Sequence, residues 1–229
     1  MGMSKGEIWG VVLASTHEAM KRRWRIQFVV TQLFYVFVIS LLVLFLFQNQ
    51  KPSKSTIAQI QELYELKTKE AIYSVLRSKG ISLNQGLDIA EVTIRQSRRL
   101  DLPMSLILAV MKKESLFISY AVSSQNAMGL MQVHPITWGE YVEKLKLNVS
   151  THAAFDPVTN IVVATHVLKD LYEYYRKNTK SESEAWESTL SAYYAGKASF
   201  SQTGFTESHS KYVGDVNSFK KEFDEKFEN

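Results

Sequence analysis

The chain has 229 residues, an apolar fraction of 45% and a formal net charge of only +4, so it can build one domain of ordinary size and a further short segment. Cysteine is absent, which excludes disulfides, thiolate metal sites and cysteine catalysis. The first 25 residues carry five basic and two acidic side chains and residues 26–48 carry none, so the rest is nearly neutral, which argues against nucleic acid as a partner.

The first element in chain order is an apolar run over residues 26–47, IQFVVTQLFYVFVISLLVLFLF. At about 1.5 Å per residue, a helix of this length crosses a hydrocarbon core of roughly 30 Å. A cleaved signal peptide is the alternative, but the run is too long for one, and Gln48 to Lys51 offer no small-x-small cleavage site. We therefore predict an uncleaved transmembrane anchor over residues 26–48, with the lipid bilayer as its partner.

Basic residues in front of this run predict its orientation, because such a flank stays in the cytoplasm. They are Lys21, Arg22, Arg23 and Arg25. We expect a single-pass protein of the cytoplasmic (inner) membrane, with residues 1–25 in the cytoplasm and everything after residue 48 in the periplasm or its equivalent.

The exported part is predicted to be helical. Residues 49–82 contain a linker with Pro52 and then a helix over residues 57–77, which is a stalk helix or a helix packed on the domain. Its apolar positions have helical spacing without a sustained heptad pattern. Residues 83–229 are predicted to form one compact domain, with helices at 87–100, 103–115, 157–177, 181–196 and 212–227. The sequence contains no convincing alternating strand, so the predicted fold class is all-α.

Glu114 lies at the end of the predicted helix 103–115, on one stripe with Ile107 and Val110. Burial and the negative end of the helix dipole both disfavour a charged carboxylate there, so both raise its pKa. A raised pKa suits a general acid near neutral pH. Position alone leaves open the alternative of a solvated residue at a helix end.

Several motif blocks begin at Glu114 and follow one another in a fixed order. They are Glu114-Ser115 with Ser123, Gly129-Leu130-Met131-Gln132 with Pro135, Asp156-Pro157 with Asn160-Ile161, Ala192-Tyr193-Tyr194-Ala195-Gly196, and Tyr212-Val213 with Val216. In this order and spacing, roughly residues 87–216 resemble the lytic transglycosylase family, in the branch that has the soluble lytic transglycosylase catalytic domain.

The resemblance implies a lysozyme-like fold and cleavage of the β-1,4 bond between N-acetylmuramic acid and N-acetylglucosamine in peptidoglycan, leaving a 1,6-anhydro sugar. One carboxylate, here Glu114, protonates the leaving oxygen and then acts as base on the 6-hydroxyl of the sugar, while the acetamido group assists. The sequence fits this scheme, because no Asp or Glu lies between Glu114 and Glu140. Asp156 is expected to be a helix N-cap.

The resemblance also implies substrate contacts. Ser123 would hydrogen-bond near Glu114 or the acetamido group, or it is a buried turn serine. Gly129 would let the backbone approach the cleft, or it serves a plain turn. Gln132 would bind a sugar amide or hydroxyl, and Tyr193 would reach Glu114 or the sugar through its hydroxyl.

Departures from the family pattern occur at three places. Tyr194 replaces an asparagine; Tyr194 and Tyr212 would be walls of the cleft or core residues. His134 stands where an apolar residue is usual and is a candidate substrate contact. Asn126 replaces a glycine of the family's turn, and asparagine can take the same left-handed conformation.

No metal is predicted, because the five histidines show no metal-ligand spacing and sugar cleavage by a glutamate needs none. No cofactor is expected either. The expected partners are peptidoglycan strands and the bilayer, with a secretion or conjugation machine of the envelope as a further candidate. Two alternatives to a transglycosylase remain. One is a muramidase that hydrolyses the same bond, as goose-type lysozymes of similar fold do, and the other is a non-catalytic, wall-binding scaffold of such a machine.

Overall fold

The computed structural model describes residues 5–49 and 54–228, and the regular secondary structure of these ranges is helical, which confirms the predicted fold class. The chain divides into two compact units, residues 1–60 and 61–229. Within the described ranges no strand occurs, and isolated bridges join Met128 to Val122 and Val133. The part of the predicted linker at residues 50–53 lies outside the described residues.

The first unit contains α1, Lys5–Asn49. Its stretch Met20–Phe45 is long and apolar enough to cross a membrane, and none of it is buried against protein. In the part of the chain that the structure describes, no other helix meets this criterion. The orientation of the anchor and the domain boundaries at residues 25, 48 and 82 stay predictions.

The helices that follow have these bounds: α2 Lys54–Arg77, α3 Leu83–Leu100, α4 Met104–Ser115, α5 Pro135–Lys144, α6 Pro157–Arg176, α7 Glu182–Ala195, α8 Lys197–Thr203 and α9 Glu207–Glu228. A short 3₁₀ turn, Thr151–Phe155, precedes α6. Two helices, α5 and α8, were not predicted from the sequence. Each buries a single side chain, Trp138 in α5 and Phe200 in α8, so neither has apolar periodicity.

The second unit is built around α4. Every side chain from Ser105 to Met111 is buried, so this helix is enclosed on all faces over two turns and not along one stripe only. It packs against α3 and α9, and α6 packs against α3 and α7. Ile72 and Leu76 of α2 are also fully buried in this core, so the C-terminal end of this helix packs on the rest of the second unit.

Side-chain caps fix the starts of two helices as predicted. Oδ2 of Asp156 accepts a hydrogen bond from the backbone N of Thr159 at 2.8 Å, at the start of α6. Oγ of Ser181 accepts one from the backbone N of Glu184 at 3.2 Å, at the start of α7. Both bonds satisfy amide groups that lack partners within the helix. Asp156 is therefore an N-cap, as expected.

Candidate active site

Glu114 lies in the last turn of α4, and its side chain is partly buried. The next two residues with left-handed backbone are Leu116 (φ 52°) and Phe117 (φ 68°), so the chain turns sharply after the helix. Phe117 is buried and packs edge-on against Phe223, with 6.4 Å between the ring centroids. This packing anchors the turn that follows Glu114.

The carboxyl of Glu114 accepts a hydrogen bond at Oε1 from the hydroxyl of Tyr212 on α9. Burial raises the pKa of Glu114 from 4.5 to about 7, and this effect outweighs the Tyr212 hydrogen bond and the charge of Lys113, which both lower it. A substantial fraction of Glu114 therefore holds its proton at neutral pH, as a general acid must. The raised pKa agrees with the prediction, and burial is its main cause.

The neighbouring side chains that shift the pKa of Glu114 are Tyr212 and Lys113. No other carboxylate among the described residues contributes to its pKa shift, whereas the cation of Lys113 does. Nζ of Lys113 is bound to Oδ2 of Asp215 at 2.6 Å.

Tyr212 is only 3% exposed, and the ring of Tyr194 lies on it with 4.8 Å between centroids and 25° between planes. Burial, followed by the charge of Glu114, raises the pKa of Tyr212 well above its ordinary value, so the hydroxyl keeps its proton and donates. The sequence leaves Tyr212 between a cleft wall and a core residue, and so misses its contact with Glu114. The closing Tyr-Val block was the one signal that pointed to it.

Tyr193 does not hydrogen-bond Glu114, contrary to one form of the prediction. Its hydroxyl donates to the backbone O of Met131 at 2.7 Å and ties α7 to the loop that follows α4. Burial, and then the charge of Glu114, raises the pKa of Tyr193, so the two side chains are close enough to interact. Tyr193 thus stays beside the site without being the partner of the carboxyl.

Asn160, a residue without an assigned role in the sequence, organises the loop beside Glu114. It is fully buried on α6. Its Oδ1 accepts from the backbone N of Met131 at 2.7 Å, and its Nδ2 donates to the backbone O of Met128 at 3.1 Å and of Ala154 at 2.8 Å. One side chain therefore satisfies three buried backbone groups and fixes the course of the loop.

Gly129 lies against the Asn160 side chain. It has φ +80°, and a Cβ there would lie 2.0 Å from the O of Ala154 and 2.4 Å from Nδ2 of Asn160. The residue must be glycine for the packing of the loop, which is a sufficient reason for it without substrate. On the other side, Oγ of Ser115 donates to the backbone O of Leu130 at 2.7 Å, so the loop is also bound to α4.

Gln132 and Ser123 hydrogen-bond within the same loop. Nε2 of Gln132 donates to the backbone O of Ala121 at 3.0 Å and of Gly129 at 2.9 Å. Its Oε1 has no hydrogen bond to any residue that the structure describes. Oγ of Ser123 accepts from the backbone N of Ala127 at 3.0 Å, which makes it a turn serine and not a contact of Glu114.

Two further predictions concern the chain between α4 and α5. Asn126 has φ 61°, which confirms the left-handed conformation predicted for it. His134 is exposed and caps the start of α5, where its Nδ1 accepts from the backbone N of Ile136 at 3.4 Å. The structure thus gives His134 a local role and leaves its outer surface accessible.

A pocket of about 290 Å³ opens elsewhere, between the start of α4, α7 and α9. Its lining includes Pro103, Trp186, Asn217 and Lys221, and none of the residues around Glu114. No group of His, Asp and Glu in the described ranges is arranged to hold a metal ion.

Residues 91–212 match the family described as the transglycosylase SLT domain. The chain is 40% identical over 107 residues to membrane-bound lytic murein transglycosylase C of Mannheimia succiniciproducens, a match that covers 45% of this chain and 30% of that protein. It is 35% identical over 126 residues to the protein of the same name from Yersinia pestis, covering 54% and 35%. The chain thus spans about a third of the length of the curated relatives it matches.

A solved structure shares the fold. It is an inactive mutant of lytic transglycosylase Slt from Pseudomonas aeruginosa, with a TM-score of 0.52 and 24% sequence identity over 59% of this chain and 24% of that one. The family match begins within α3 and ends at Tyr212. Glu114, its hydrogen-bond partner and the loop held by Asn160 all fall inside it.

Proposed function

The chain belongs to the family defined by the transglycosylase SLT domain, and we propose that it is a membrane-anchored lytic transglycosylase of peptidoglycan. Its substrate is the β-1,4 bond between N-acetylmuramic acid and N-acetylglucosamine, and its product ends in a 1,6-anhydro muramic acid. The main support is the single carboxyl of Glu114, which burial keeps partly protonated near neutral pH and which is hydrogen-bonded to Tyr212.

Glu114 acts first as an acid. Its proton passes to the oxygen that links C1 of the muramic acid to the next sugar, the bond from C1 to that oxygen breaks, and the N-acetylglucosamine side leaves as an alcohol. The acetamido group of the muramic acid assists at the electron-poor C1. Glu114 is now a carboxylate, and the Tyr212 hydroxyl stabilises its new charge by hydrogen bonding.

Glu114 then acts as a base. It takes the proton of the 6-hydroxyl of the same muramic acid, and the oxygen attacks C1. The new bond between C1 and this oxygen closes the anhydro ring, Glu114 recovers its proton, and no water is consumed. One carboxyl group is enough for this cycle, whereas standard glycosidases place two carboxyl groups about 5–10 Å apart.

The contacts proposed for the substrate around Glu114 come from Ser123, Gly129, Gln132, His134, Tyr193 and Tyr194. Gln132 offers its free amide oxygen to a sugar hydroxyl or an acetamido N–H. Tyr194, a residue that is 49% exposed, offers its ring. Tyr193 offers a hydroxyl that can accept a hydrogen bond while it donates to Met131.

The anchor determines where cleavage happens in this proposal. α1 holds the protein in the cytoplasmic membrane with its N-terminal side in the cytoplasm, so that the second unit meets the wall outside. The apolar stretch Met20–Phe45 and the basic residues near its start support this topology. A reporter fused after Asn229 that is active in the cytoplasm would contradict it.

The test uses the full chain in detergent with purified peptidoglycan and follows soluble fragments by mass spectrometry. We expect anhydro-muropeptides from the wild type and a loss of at least about a hundredfold in Glu114→Gln, which keeps the shape but removes the acid. Glu140→Gln, an exposed glutamate of α5, is the matched control.

Each alternative has its own outcome in this experiment. Fragments that end in a reducing muramic acid would identify a hydrolytic muramidase. Full activity in Glu114→Gln would exclude Glu114 as the acid. A wild-type protein that binds the wall but releases no fragments would be a scaffold.

A further inference from the structure

Three aromatic rings follow one another from the carboxyl of Glu114. Tyr212 hydrogen-bonds Glu114, Tyr194 stacks on Tyr212 at 4.8 Å, and His209 meets the ring of Tyr194 edge-on at 5.9 Å and 86°. We call Tyr212, Tyr194 and His209 the ring stack. Of the three, Tyr212 is the one whose hydroxyl hydrogen-bonds the carboxyl.

The exposures along the ring stack show what Tyr194 covers. Tyr212 is 3% exposed and Tyr194 is 49% exposed, although their rings lie face to face. Tyr194 therefore stands between solvent and one face of the Tyr212 ring. The hydroxyl of Tyr212 makes its hydrogen bond to Glu114, and the orientation of the ring depends on the packing around it.

His209 gives Tyr194 a fixed neighbour. It is 4% exposed, and its Nδ1 accepts from the backbone N of Thr206 at 3.1 Å and lies 2.6 Å from the Oγ1 of the same residue. Its ring also packs on Phe200, with 5.3 Å between centroids. Hydrogen bonds and packing thus hold the imidazole, which meets the ring of Tyr194 edge-on.

Position 194 is also where this chain departs from the Ala-Tyr-Asn-Ala-Gly pattern. An asparagine there is too short to cover a phenol ring face to face. We propose that Tyr194 is a positioning residue, which keeps water from the Glu114 carboxyl by covering Tyr212 and holds the Tyr212 hydroxyl on Oε1. This inference rests on the proposed function, because it concerns the acid of that reaction.

Loss of the ring at position 194 has two opposing effects on the pKa of Glu114. Water near the carboxyl weakens the effect of burial, which lowers the pKa, while a looser Tyr212 hydrogen bond raises it. Burial is the larger of the two causes in the intact site, so we expect a net fall. Among the described residues, the other groups that interact electrostatically with Glu114 are Lys113 and Tyr193, and the substitution replaces neither.

The test compares Tyr194→Asn with Tyr194→Phe in the full chain, by initial rates of fragment release from dilute purified peptidoglycan between about pH 5 and about pH 9. Activity falls as the pH rises through the pKa of Glu114, because the acid must hold its proton. We expect this alkaline limb to move down by about one pH unit in Tyr194→Asn, a loss of about tenfold near pH 8. Phenylalanine keeps the stacked ring and should leave the limb where it is in the wild type.

Tyr174→Asn is the matched control, since Tyr174 is an exposed tyrosine of α6 whose ring contacts are with Tyr175 and Lys197. A Tyr194→Asn protein with a uniformly lower rate and an unmoved limb would overturn the inference, because a merely structural role has that result. If Tyr194→Asn does not melt cooperatively, Tyr194→Leu replaces it under the same criterion. Full activity in Glu114→Gln would contradict the proposed function. If activity does depend on Glu114 but the alkaline limb of Tyr194→Asn is unmoved, only this inference is wrong.

Discussion

The hydroxyl of Tyr212 donates a hydrogen bond to Oε1 of Glu114 and so joins two residues that are 98 positions apart in the chain. The same two helices, α4 and α9, are joined one residue earlier on α4 by the ion pair of Lys113 with Asp215. The end of α4 is therefore fixed by the first half of α9. The pKa of the candidate acid therefore depends on a residue of the last helix, Tyr212.

Tyr212→Phe tests this relationship. The hydroxyl lowers the pKa of Glu114, so its removal should raise that pKa and move the alkaline limb of the activity profile to higher pH. The maximal rate should fall about ten- to a hundredfold, because the carboxylate formed after proton transfer loses its donor. The measurement is the initial rate of fragment release as a function of pH.

Tyr172→Phe is the control for the Tyr212 experiment. It removes another tyrosine hydroxyl that donates to a glutamate, Glu182 at 3.4 Å, on helices α6 and α7. Its alkaline limb should coincide with that of the wild type. A limb that moves to lower pH in Tyr212→Phe would show that the hydroxyl does not stabilise the Glu114 carboxylate.

The pH dependence of the unfolding free energy should report the pKa of Glu114 independently of activity. The folded chain holds this proton up to about pH 7, whereas the unfolded chain loses it near 4.5. As the pH rises through this window, ionisation stabilises the unfolded chain first, so the wild type loses stability that Glu114→Gln keeps. The difference in unfolding free energy between Glu114→Gln and the wild type should grow by about 1–3 kcal/mol as the pH rises from 4.5 to about 7, and then stay level.

Thermal unfolding of the full chain at both ends of this pH window measures the gap. Glu140→Gln serves as the control for the loss of one carboxyl group from an exposed position of α5. Equal gaps between Glu114→Gln and the wild type at both pH values would mean that burial does not raise the pKa of Glu114.

Local signals in the sequence were enough for most of the helices. The caps at Asp156 and Ser181 mark real helix starts, because a side-chain bond to an unpaired amide is decided within four residues. Short helices with one buried side chain, such as the one that contains Trp138, lack this periodic signal and were missed. Such helices form because the rest of the domain offers a place for that side chain.

The partners within the site were harder to predict than its acid. Periodicity places Glu114 on a helix face, but it does not predict which residue of another helix contacts its carboxyl group. The sequence therefore favours Tyr193 for this contact, while the approach of α9 to α4 brings Tyr212 there. Sequence spacing does not predict the hydrogen bonds of Gln132 either, whose amide group donates within its own loop.

Gly129→Ala tests whether the loop beside Glu114 must be packed as closely as the structure has it. The new Cβ would lie 2.0 Å from the backbone O of Ala154, at a residue whose φ of +80° is already unfavourable for alanine. The loop must then shift away from Asn160. We expect a loss of about 2–5 kcal/mol in unfolding free energy, together with reduced cleavage of peptidoglycan.

Gly139→Ala is the matched control for Gly129→Ala, because it makes the same chemical change in helix α5, where nothing lies within 4 Å of the new Cβ. Alanine favours a helix over glycine by about 1 kcal/mol, so this variant should be as stable as the wild type or slightly more stable. The comparison is made by denaturant unfolding of both full-length variants. Equal stability of the two variants would contradict the close approach of Gly129 to Ala154 and Asn160, since that approach is what separates the two glycines.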